Sequence, residues 1–173
     1  MNLSSNLALI VSIAISISSL AYSGEGKDLS RMGKLFDTGR YQQAIAAAKS
    51  EYANGDKEAS LYVAAAANCL SGEYRQASIF SQRYLTDFPQ GMYANEIAYY
   101  YGVSLARMGY RERAKKILEQ LIGLKGGRFK NLSLYELALL EFNSSHFESS
   151  KKFLDLLLDQ SIESVGIATW IEV

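Results

Sequence analysis

The chain has 173 residues, 49% apolar and 21% charged, with 18 basic and 18 acidic side chains that cancel. That balance speaks against a global field for nucleic acid or an anionic membrane, and a single Pro beside so large an apolar fraction speaks against a disordered chain. Cys69 is the one cysteine, so no intramolecular disulfide is available and the fold must hold by packing.

No charge falls within the first 23 residues. From Leu3 to Tyr22 the chain is Leu, Ile, Val, Ala and Ser apart from Asn6 and Tyr22, and Ala21-Tyr22-Ser23 puts small residues where a signal peptidase reads. Residues 1–23 are therefore expected to be a signal peptide, with an uncleaved N-terminal anchor as the alternative. Either places the body outside the cytoplasm, in the periplasm or anchored facing it, with the membrane touched only through that segment. No cysteine ends the leader, so a lipid on a mature N-terminal Cys is not expected.

Beyond it, apolar periodicity predicts helices over 26–38 and 41–54, 57–71 and 74–87, 92–108 and 111–124, and 130–144 and 147–159. An unpaired helix is predicted over 162–173. One phrase punctuates the pairs. Gly39-Arg40-Tyr41-Gln42-Gln43-Ala44 recurs as Gly72-Glu73-Tyr74-Arg75-Gln76-Ala77, as Gly109-Tyr110-Arg111-Glu112-Arg113-Ala114, and, with Ser for Gly, as Ser145-His146-Phe147-Glu148-Ser149-Ser150. The copies start 33, 37 and 36 residues apart, a spacing that signals a stacked repeat array. Seven residues before each start lie Met32, Ala65, Gly102 and Ala138, and five after lie Ala44, Ala77, Ala114 and Ser150. Small residues recurring on both helices mark a close crossing. The Gly between them tolerates the φ > 0 of a tight reversal, while Ser145 with Glu148 reads as a capping box.

Small residues at the eighth and twentieth places of a 34-residue helix pair, with Gly-x-Tyr-x-x-Ala opening the second helix, resemble the tetratricopeptide repeat. The resemblance covers residues 25–160. Tyr84-Leu85-Thr86-Asp87-Phe88-Pro89, Tyr93-Ala94 and Ala98-Tyr99-Tyr100-Tyr101-Gly102 are similar to repeats of bacterial envelope proteins, the β-barrel assembly lipoprotein BamD and the Tol-Pal-associated cell-division coordinator among them. The Trp usual at the fourth place is absent. The resemblance implies an all-α, right-handed solenoid of four helix pairs over 24–161, with 162–173 as a C-terminal capping helix.

In that family the first helix of each pair lines a concave groove. The resemblance then puts Leu29, Tyr62, Tyr99 and Tyr135 at the groove's fifth place, and Phe36, Cys69, Ala106 and Phe142 at its twelfth. Leu29, Phe36, Tyr62, Tyr99, Tyr135 and Phe142 are accordingly the candidate partner-binding residues, a ladder of rigid faces suited to a peptide or helix of another envelope protein. The alternative is that the rings fill space between repeats. Glu96 and Arg107 are the groove's expected charges, so the ligand should be mostly apolar.

The last helix carries Ile162, Val165, Ile167, Trp170 and Ile171. It reads as a lid on the fourth pair, or as an interface centred on Ile167, Trp170 and Ile171 that makes a homodimer. Gly123-Leu124-Lys125-Gly126-Gly127-Arg128-Phe129-Lys130 lacks the ending of a phosphate-binding loop and reads as a turn. With His146 the only histidine and Cys69 on an apolar helix, no catalytic triad, metal site or cofactor is expected. The expectation is a non-enzymatic adaptor or scaffold, with an assembly module that dimerises through its last helix as the alternative.

Overall fold

A computed structural model describes residues 31–124 and 127–169, with side chains described for 31–124 and 129–159. The expected signal peptide lies outside these residues. Eight helices follow one another, and among the described residues there is no strand. They are α1 (Arg31–Asp37), α2 (Tyr41–Ala53), α3 (Lys57–Leu70), α4 (Tyr74–Asp87), α5 (Ala94–Arg107), α6 (Arg111–Ile122), α7 (Gly127–Phe142) and α8 (Phe147–Thr169).

Each helix packs against its successor, and the first members of the pairs also pack against one another, α1 on α3, α3 on α5 and α5 on α7. The result is an all-α, repeat-like stack with α1, α3, α5 and α7 as a continuous layer. The crossings fall at the small residues. Ala44, Ala65, Ala77, Ala114, Ala138 and Ser150 are all buried, and a Cβ added to Gly102 would lie 2.8 Å from Cδ2 of Leu118. Only a bare backbone fits there without displacing that side chain.

The repeated phrase is one motif used four times. Gly39, Gly72 and Gly109 have φ of 72°, 85° and 84°. In each case the N–H of the Gly bonds back three residues and the next N–H bonds back five, to Phe36 and Leu35, to Cys69 and Asn68, and to Ala106 and Leu105. This closing pattern satisfies the carbonyls that a helix end would otherwise strand. Ser145 does the same at φ 62°, with its N–H on Phe142 and the His146 N–H on Glu141. Ser145 is thus the residue that ends α7, and His146 supplies the first carbonyl of α8 to Ser150. The capping box expected from Ser145 and Glu148 is replaced by this turn, which a side chain accepts only with strain.

Two boundaries differ from the periodicity. Helix α7 begins at Gly127, so part of the expected turn at 123–130 is helical. The predicted break at 160–161 is absent, and α8 continues through the positions expected to form a separate capping helix. The reason is local: Gln160, Ser161 and Ile162 include neither Pro nor Gly, and the lone Gly166 costs a helix only about 1 kcal/mol. No described helix is long and apolar enough to cross a membrane.

Candidate functional site

The layer of first helices positions the candidate residues. Phe36 on α1 and Tyr62 on α3 meet edge-on at 6.0 Å, and Tyr62 stacks on Tyr93, just before α5, with centroids 4.1 Å apart and planes 16° off parallel. The Tyr62 hydroxyl donates to Glu96 at 3.0 Å. Tyr62 is only 2% exposed. Its expected place on an open wall is therefore corrected: the ring is consumed in joining α3 to α5. Cys69 is buried in the same joint, its thiol donating to the Tyr100 carbonyl at 3.8 Å. Burial pushes that thiol up to about 11, so it is a protonated packing group at neutral pH.

Tyr99 on α5 and Tyr135 on α7 are half-buried. Tyr99 lies between Tyr100 and Phe129, at 5.6 and 6.2 Å. Arg107 stands within electrostatic reach of both Tyr99 and Tyr135 and pairs with Glu136 at 3.0 Å. Burial raises the Glu136 carboxyl against the pull of Arg107. The two charges foreseen for the groove are thus engaged internally, Glu96 by Tyr62 and Tyr100 and Arg107 by Glu136. Phe36 is half-buried, and Phe142 is 57% exposed, touching Phe147 edge-on at 5.6 Å. Leu29, Trp170 and Ile171 lie outside the described residues, as does the side chain of Ile167.

Two carboxylates, the half-buried Glu58 and the buried Glu141, carry structure that the sequence pattern did not flag. Glu58 Oε1 accepts from the Tyr84 hydroxyl at 2.7 Å and from the Met92 N–H at 2.8 Å. The Tyr84 oxygen in turn accepts from the Tyr93 N–H at 2.9 Å, and burial raises the Tyr84 phenol. A Cβ on Gly91 would lie 2.5 Å from both oxygens. This node pins the segment after Pro89 against α3 and α4, so that Tyr93 is delivered onto Tyr62. The second carboxylate, Glu141 on α7, is 1% exposed and receives Arg111 at 2.7 Å and Lys115 at 2.9 Å, with His146 Nδ1 2.9 Å from it and 2.6 Å from Arg111. Burial pushes its carboxyl up, yet the bonds from Lys115 and His146 and the charges of Lys115 and Arg111 outweigh that and hold it below its ordinary value. The one sequence signal is at Glu141, an acidic residue amid apolar neighbours in Leu139-Leu140-Glu141-Phe142, whereas Glu58 follows Asp56 and Lys57 and carries none.

The chemistry on offer is recognition by rings and phenols. Among the described residues no group of His, Cys, Asp and Glu is arranged to hold a metal ion. No protein-family model matches the chain, and no curated protein or solved structure is similar to it.

Proposed function

We propose that this protein is a non-catalytic protein-binding scaffold of tetratricopeptide type, exported to the cell envelope, that holds an apolar peptide or helix of another envelope protein along its layer of first helices. One observation carries the reading: Tyr99 and Tyr135, at the same place on successive first helices, are both half-buried and so keep part of their surface open. Half-buried tyrosines give contact area at little entropic cost. The export half of the proposal rests on the uncharged first 23 residues.

The experiment is a photo-crosslinking side chain placed at Tyr99 in intact cells, with one at Ile79, exposed on α4, as the control. The expected result is a single envelope-protein adduct from position 99 that weakens in a Tyr135→Ala background and is missing from position 79. Equal labelling from both positions, or an adduct indifferent to Tyr135, refutes the proposal.

A further inference from the structure

Between α2, α3 and α4 lies a cavity of about 140 Å³, walled by Ala48, Tyr52, Leu61, Ala64 and Phe80. The next pair shows what the same place holds when the chain fills it. Eight residues before successive copies of the phrase, the first helices carry Ala64, Tyr101 and Leu137, all buried. Tyr101 forms a cluster with Leu105 and Ala114, on which Leu85 of α4 and Ile117 of α6 pack. Its hydroxyl accepts from Arg113 of α6 at 3.1 Å. Leu85 and Ile117 are the counterparts, by place in the repeat, of the cavity walls Tyr52 and Phe80. Where the chain has Tyr101, a ring therefore helps to fill the space between two second helices; where it has Ala64, that space is open. Tyr52, Leu61 and Phe80 are each larger than their counterparts Leu85, Ala98 and Ile117, yet they do not close it.

The edge of the cavity differs in charge as well. Lys49 and Arg83 border it, and their counterparts one pair on, beside the ring the chain supplies, are the neutral Gln82 and Gln120. Lys49 is exposed, and among the described residues no carboxylate pairs with it. Arg83 lies 5.0 Å from the centre of the Tyr52 ring, donates to the Tyr52 hydroxyl at 2.6 Å and meets Asp87 at 3.5 Å. Two cations thus stand against one carboxylate at the mouth. The floor beneath them is carbon, apart from the Ser60 hydroxyl, which is turned to the Met32 sulfur at 3.8 Å.

We propose that this cavity binds a small aromatic carboxylate, with its ring among Ala48, Leu61, Ala64 and Phe80 and its carboxylate at Lys49 and Arg83. An apolar cavity of ~150 Å³ takes up benzene, so the volume suits one ring and little more. The ring restores the contacts that Ala64 leaves unmade. The carboxylate stays at the wet edge, where it keeps much of its hydration while gaining charge-assisted hydrogen bonds from the two cations. An aliphatic anion of the same length would leave the width of the cavity unfilled. The site shares no residue with the partner-binding candidates Tyr99 and Tyr135, so it stands or falls apart from the capture of another protein there.

The test titrates the full chain, carrying isotope-labelled alanine methyl groups, with phenylacetate and with benzyl alcohol as the neutral ring. The Ala48 and Ala64 methyl signals should move saturably with phenylacetate, at a dissociation constant of about 0.1 to 1 mM for some ten non-hydrogen atoms. Benzyl alcohol should bind roughly tenfold more weakly or worse. Ala64→Tyr, which copies the next pair, should abolish the Ala48 shift without lowering the melting temperature. The Lys49→Gln/Arg83→Gln double variant, which copies the next pair's edge, should weaken phenylacetate about tenfold and leave benzyl alcohol unchanged. No saturable shift by ~10 mM, an Ala48 shift that survives Ala64→Tyr, or equal affinity for the two probes overturns the proposal. So does binding of a peptide ending in Phe without binding of phenylacetate. Should Ala64→Tyr fail to fold, the double variant decides alone, and undiminished phenylacetate binding by it refutes the assignment.

Discussion

Replacing Tyr84 with Phe isolates one oxygen whose work is visible in full. The ring is completely buried on α4 and would stay. What disappears is the hydroxyl that donates to Glu58 at 2.7 Å and accepts from the Tyr93 N–H at 2.9 Å. A hydrogen bond to a charged acceptor contributes about 1.5 to 3 kcal/mol, and a neutral one about 1. Glu58 keeps the Met92 N–H and the Tyr93 site is only half-buried, so water recovers part of the loss. The expected cost is about 2 to 3 kcal/mol, or roughly 5 to 10 °C in Tm for a domain of this size. Urea unfolding followed by far-UV circular dichroism reads it, with Glu58→Gln and the double variant completing a cycle. Because both changes act on one node, the double variant should cost less than the two singles together. A loss below ~0.5 kcal/mol, or strict additivity, refutes the claim that this node fastens the Pro89 segment.

Ser145→Gly should raise stability by about 0.5 to 1 kcal/mol, because it removes the strain of a side chain at φ 62° while the other three turns already carry Gly; thermal melts measure it, and no gain would mean the turn is relaxed. Glu141→Gln should lower stability at neutral pH by about 2 kcal/mol, since Arg111 and Lys115 lose their shared carboxylate but retain access to water. The pH dependence has a definite sign. The folded Glu141 carboxyl titrates below its unfolded value of 4.5, so its contribution is present above that pH and fades as pH falls through the folded value. The wild type should therefore lose its advantage over Glu141→Gln in that acid window, and a difference that persists unchanged below it counts against the assignment.

The pairs were legible because small residues and the Gly phrase are local signals: Gly102 must be Gly where Leu118 crosses, and Gly39, Gly72 and Gly109 must turn left-handed. The direction in which a ring points is not local. Tyr62 and Tyr99 share a place in the repeat, yet Tyr62 is buried because Tyr93 is held over it by Glu58 and Tyr84, residues distant in sequence. The end of α8 was misplaced for another reason. A helix stops only where a residue stops it, and residues 160–162 contain neither Pro nor Gly.

Among the described residues each helix packs on its successor, and the first helices on those of the adjoining pairs, so no contact joins distant parts of the row. Cooperativity in such a molecule decays along the stack, so opening by thermal motion begins at the tips and travels inward one hairpin at a time. How firmly the final hairpin holds therefore sets how often the fraying starts.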